Sequence, residues 1–230
     1  MKKNQDYKNE ALAALKGNWA QAVVATVIFL LLCVAFAAPS WVANMVLMGQ
    51  LPLNLTSQTM NILSWVGSPF MLLIFYPLSV GYMQAYDLHL TQGDNAFTVN
   101  TFRLAFSKWL RNVWAVLLVA IFTFLWTLLL VIPGIVKGLA YSMTFFIIRD
   151  YPELSVNQAI NLSDKMMKGR KFDFFYLNLS FIGWMLLSVL TCGIGLVWLC
   201  PYMYASYASF YQDVKNDFIR NNNLTITLCH

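Results

Sequence analysis

The sequence predicts an all-α, polytopic transmembrane bundle, and three observations carry that prediction. Of 230 residues, 59% are hydrophobic and 11% are charged, against about 25% charged in soluble domains. Several apolar runs reach the roughly 20 residues needed to cross a hydrocarbon core of about 30 Å. Aromatic residues make up 16% of the chain, a composition suited to the belts of Trp and Tyr at membrane interfaces.

Six spans are expected, at about 19–38, 65–86, 113–132, 134–149, 172–191 and 195–212. The first follows basic residues and ends near an "AFA" at 35–37, as a cleavable signal would. Eighteen residues precede the run and read as a helix, so an uncleaved span is expected. Residues 113–148 form an almost unbroken apolar run of 36 residues, and a single helix of that length would measure about 54 Å. Ile132-Pro133-Gly134 offers a break, because proline lacks an amide proton and glycine tolerates turn geometry.

Charge decides between one crossing and two. Counted by segment, Lys and Arg number four in 1–18, three in 87–112, five in 149–171 and two in the tail, with Lys137 the fifteenth. Two crossings put fourteen of the fifteen on one side, as the positive-inside rule demands. Both termini are then cytoplasmic, and the outside holds the connection 39–64 and two tight turns.

Each pair of spans is preceded by an amphipathic segment, which suggests three helical hairpins with interfacial helices on the cytoplasmic side. Ser155 to Lys168 opens with an S-x-x-Q capping box and stops at Gly169. Val156, Ala159, Ile160, Ser163 and Met167 share one face of it. The helix at 101–111 sets Phe102, Ala105, Phe106 and Trp109 against Arg103, Lys108 and Arg111. The first, about 6–16, has Tyr7, Ala11 and Leu15 as its stripe.

Asp87, Asp150 and Asp213 stand 63 residues apart, so a threefold repeat of about 1–90, 91–150 and 151–213 is one expectation. The plain alternative is that any hairpin protein places charges at a common membrane depth. Residues 1–213 are read as a single membrane domain and 214–230 as a cytoplasmic tail.

Chemistry is sparse. Neither His89 nor His230 lies within a predicted span, and no HExxH, GxSxG or Walker A stretch occurs. Cys33, Cys192, Cys200 and Cys229 have no metal spacing and read as small packing residues. No catalytic, cofactor or metal residue is expected, and Asp87 and His89 read as headgroup-level polar residues. Lys137 is the one candidate functional polar residue: an anion contact or solute-path residue, weighed against a lysine snorkelling to the outer headgroups. Arg103, Lys108, Arg111, Lys165, Lys168, Arg170 and Lys171 are candidate contacts to anionic lipid. The basic residues flank apolar spans, which points to a bilayer rather than to nucleic acid.

The segments "LKGNW", "LLLVIPGIVKGLAYSM" with the following "RDYPELSVNQAINLSDKMMKGRKFDFF", and "WLCPYMYASYASFY" resemble one family, from about residue 8 to about 213. It is the bacterial integral-membrane family catalogued as domain of unknown function 975. That resemblance implies a protein of the bacterial cytoplasmic membrane and supplies no activity, substrate or site residues. Absent catalytic groups, the expected role is a non-catalytic scaffold or regulator engaging lipid or a membrane partner. The alternative is a transporter or channel for a small solute or ion.

Overall fold

The computed structural model describes residues 2–49, 58–59, 71–94, 96–191 and 193–221. Most of the expected outer connection 39–64, the first residues of the span 65–86, Cys192, and the end of the tail with Cys229 and His230 lie outside the described residues.

The described chain is all helical. In order it forms α1 (Asn4–Leu15), α2 (Trp19–Leu47), a π-helical turn (Met71–Phe75), α3 (Tyr76–Gln92), α4 (Phe97–Ser107), α5 (Trp109–Leu129), α6 (Val131–Tyr141), α7 (Thr144–Asp150), α8 (Val156–Met166), α9 (Lys171–Leu190) and α10 (Leu196–Asn221).

The six-span, three-hairpin architecture does not hold. Among the described residues, three segments are long and apolar enough to cross a membrane: Trp109–Leu129, Val131–Asp150 and Lys171–Leu190. A fourth arises if Asn4–Leu15 and Trp19–Ala35, bent by 99° at their junction, count as one broken span. The expected sixth span is the clearest loss. α10 carries Tyr202, Tyr204, Ser206, Tyr207, Ser209 and Tyr211, and it buries much of that face instead of showing it to lipid. It also continues to Asn221, past Asp213 where the membrane domain was expected to end. α3 is 17 residues long and buries Tyr82, Gln84, Tyr86, Asp87 and His89. Both helices are interior elements whose polar groups find partners inside the protein.

The apolar run does fold back on itself, but the break falls at Leu130. There φ is −160° and ψ is 140°, an extended residue between α5 and α6. Pro133 falls in the first turn of α6, where a missing amide proton costs nothing. Gly134 permits the close return, because a Cβ there would lie 2.7 Å from the Thr127 Cα.

The amphipathic helices keep their stripes and change their places. α1 buries Tyr7, Ala11 and Leu15, but against α9 and α10, with Asn4 Nδ2 donating to the Tyr176 carbonyl. α8 has the anticipated capping box: the Ser155 amide donates to Gln158 Oε1 at 2.8 Å, and the Gln158 amide to Ser155 Oγ at 3.3 Å. Its buried face, Val156, Ala159, Ile160, Ser163 and Met166, packs on α5, α6 and α7. The helix expected at 101–111 is two elements, α4 ending at Ser107 and α5 starting at Trp109. The Asn112 amide closes the corner by donating to the Leu104 and Ala105 carbonyls, both at 3.0 Å. α4 in turn lies against α3 at Gly81, where a Cβ would sit 2.7 Å from the Ala105 nitrogen.

Candidate functional site

α10 is the hub that collects charge. On one side of it, Arg149 pairs with Asp87 and, at 2.6 Å, with Asp150. The other oxygen of Asp150 accepts from Tyr211 at 2.8 Å and Lys215 at 2.5 Å. Gln212 donates to Asp87 Oδ1 at 2.6 Å, and Arg149 also reaches the Gln84 carbonyl at 2.9 Å. The Asp87 side chain is fully buried. Burial pushes its carboxyl up to about 6, against the opposing pull of Arg149 and Gln212.

At the same level of α10, on its other side, Arg170 forms a second cluster. It meets Asp213 at 2.6 Å, Asp217 at 2.5 Å and Asp173 at 3.0 Å. Tyr7 of α1 donates to Asp213 Oδ2 at 2.7 Å and accepts from Arg170 at the same distance. Burial alone would raise the Asp213 carboxyl, but the bonds from Arg170 and Tyr7 hold it below its ordinary value.

The third cluster holds Lys137. Its ammonium meets Asp164 Oδ2 at 2.7 Å, while Lys171 takes Oδ1 at 2.9 Å. Trp126 and Tyr141 flank Lys137, with ring centroids at 5.3 and 5.8 Å. The six-span threading puts Lys137 outside and Asp164 and Lys171 inside, yet the three lie in direct contact. The two hydrogen bonds to Asp164 hold its carboxyl down against the upward pull of burial.

The seven cations set against lipid by the charge pattern divide in two. Arg170 is 5% exposed and engaged by carboxylates, and Lys171 pairs with Asp164. Arg111 donates to the Pro152, Tyr151 and Leu154 carbonyls at 2.6, 3.1 and 2.6 Å, clamping the loop after α7. Arg103, Lys108, Lys165 and Lys168 are exposed.

Asp87 and His89, expected at the headgroups, are both buried. His89 bridges the Ala14 carbonyl at 2.8 Å and the Asp94 carbonyl at 3.2 Å. The pairings of Asp87, Asp150 and Asp213 escaped the sequence reading, although their common spacing and the Arg149-Asp150 doublet were visible. Asn178 bonds between helices, accepting from Tyr207 at 2.8 Å. Among the described residues no three His, Cys, Asp or Glu side chains gather in a metal-holding group. Cys33 and Cys200 are free thiols.

The family model described as Protein of unknown function (DUF975) matches residues 112–217. The match takes in α5 from Asn112 through most of α10, and thus most members of the three clusters, while "LKGNW" at 15–19 falls outside it. No curated protein and no solved structure matches the chain.

Proposed function

We propose that this multi-pass bacterial membrane protein is a non-catalytic scaffold or regulator, held against anionic headgroups by Arg103 and Lys108 in and just after α4 and by Lys165 and Lys168 in and just after α8. The observation that carries the reading is the outer face of α4. Phe97, Asn100, Thr101 and Ala105 are buried, while Val99, Phe102 and Phe106 are exposed beside the exposed Arg103. An apolar face rimmed by cations suits a helix lying in the interface plane. The buried ionisable groups favour the same reading, since they pair with one another across α3, α7, α9 and α10.

Both termini lie on the cytoplasmic side in this reading. Tyr7 and Asp213 meet Arg170 just before α9, so the two terminal segments share the face on which α9 begins. Lys108 and Arg111 at the start of α5 and Arg149 at the end of α7, tied through Asp150 to Lys215 of α10, flank one end of the α5–α7 hairpin, which the positive-inside rule assigns to the cytoplasm.

The test replaces Arg103, Lys108, Lys165 and Lys168 by Gln in the whole protein. Each cation near an anionic surface contributes about 1 kcal/mol, so enrichment of anionic lipid around the purified protein should fall sharply. Unchanged enrichment would sink the lipid-anchoring reading. Reproducible ion or solute flux from reconstituted vesicles would favour the transporter instead.

A further inference from the structure

We propose that Lys137 and Lys171 form a discrete site for the phosphate of an anionic phospholipid. Two ammonium groups share one carboxylate, so the cluster carries one uncompensated positive charge. That charge matches a phosphodiester monoanion. Asp164 offers one oxygen to each lysine and so holds the two cations on either side of itself. Each ammonium has three donors, and one from each serves Asp164.

The surroundings fit a lipid rather than a free anion. Lys137 and Lys171 are 25% and 24% exposed at their side chains, so both reach the surface without projecting from it. Trp126 beside Lys137 is itself exposed, and an indole at this position suits the headgroup level. On the bilayer side of Trp126, Ile121, Phe124 and Leu125 of α5 are exposed, and a phosphate at the lysines would lay its acyl chains along them. Lys137 and Lys171 are not among the four cations of the lipid-anchoring reading, so this inference can fail while that reading stands, and the reverse.

The experiment is native mass spectrometry of the full chain with phosphatidylglycerol or phosphatidylcholine. One retained phosphatidylglycerol per chain is expected, with its preference over phosphatidylcholine falling about fivefold for each ammonium removed in Lys137→Gln and Lys171→Gln. Arginine at both positions should keep the preference. Asp164→Asn should strengthen it by freeing both cations, a result that a purely structural bridge would not give. The fourfold glutamine variant at Arg103, Lys108, Lys165 and Lys168 should still hold this one lipid. Equal preference in the double glutamine variant would overturn the proposal, and so would a weaker preference in Asp164→Asn. Displacement of the lipid by inorganic phosphate would assign the site to a free anion and overturn it too.

Discussion

Arg170 and Asp213 are 43 positions apart and bond at 2.6 Å, with the guanidinium 6% exposed. This one contact ties the start of α9 to the far part of α10. Because Tyr7 binds both partners, it also fixes α1. Three segments remote in sequence are held by a single buried charge.

Replacing Arg170 should therefore be costly. Arg170→Met leaves Asp213 without its cation, while Asp217 keeps only the exposed Arg220. Breaking a buried pair from one side costs about 3–5 kcal/mol. The melting temperature in a fixed detergent should drop, and protease should cut α1 faster. An Arg170→Met protein as stable as the original would show that the cluster contributes nothing.

Gly81 offers a test of the α3–α4 approach. Its missing Cβ would press on the Thr101 carbonyl and lie 2.7 Å from the Ala105 nitrogen, both backbone atoms that cannot swing aside. Gly81→Ala gains helix propensity of about 1 kcal/mol, but the forced backbone shift costs about 1–3 kcal/mol. Net loss of stability is expected, with faster hydrogen exchange in α4. A stabilised variant would mean that the two helices are not this close.

Asp87 gives a pH signature. Its folded carboxyl titrates near 6, against 3.8 in the open chain, so the folded state binds the proton more tightly. Folding is therefore favoured below about pH 4 by this group, and the benefit is lost as pH rises through 6. The span of that effect is about 3 kcal/mol. Arg149, Asp150, Gln212 and Lys215 influence the group and set its value. Asp213 and Asp164 act in the opposite direction, losing stability as pH falls through their lowered values. Comparing melting of the unaltered protein with Asp87→Asn from pH 4 to 7 isolates the contribution of Asp87. The difference between them should change across that window, and a constant difference would place Asp87 in a more solvated site.

The α8 cap is the mildest test. Ser155→Ala removes the side-chain acceptor for the Gln158 amide and should cost about 1 kcal/mol. Hydrogen exchange should quicken in the first turn of α8 and leave α9 unchanged. Loosening of α9 as well would show the two helices unfolding together.

The local features were determined by sequence alone. The α8 capping box, the Tyr7, Ala11 and Leu15 stripe, the folding back of the run after α5 and the apolar character of α5, α6 and α9 all follow from neighbours a few residues apart. Helix periodicity, proline chemistry and apolar length act over that range. Placement was decided by tertiary structure. Whether α10 is a span or an interior helix depends on what meets its tyrosines and serines, and those partners come from α1, α3, α7 and α9. The same holds for Lys137. Its sequence neighbours suggest a lysine reaching for the outer surface, and only the packing of α8 on α6 delivers Asp164 to it. Buried polar groups must be paired, and a partner 27 residues away leaves no mark in the local pattern.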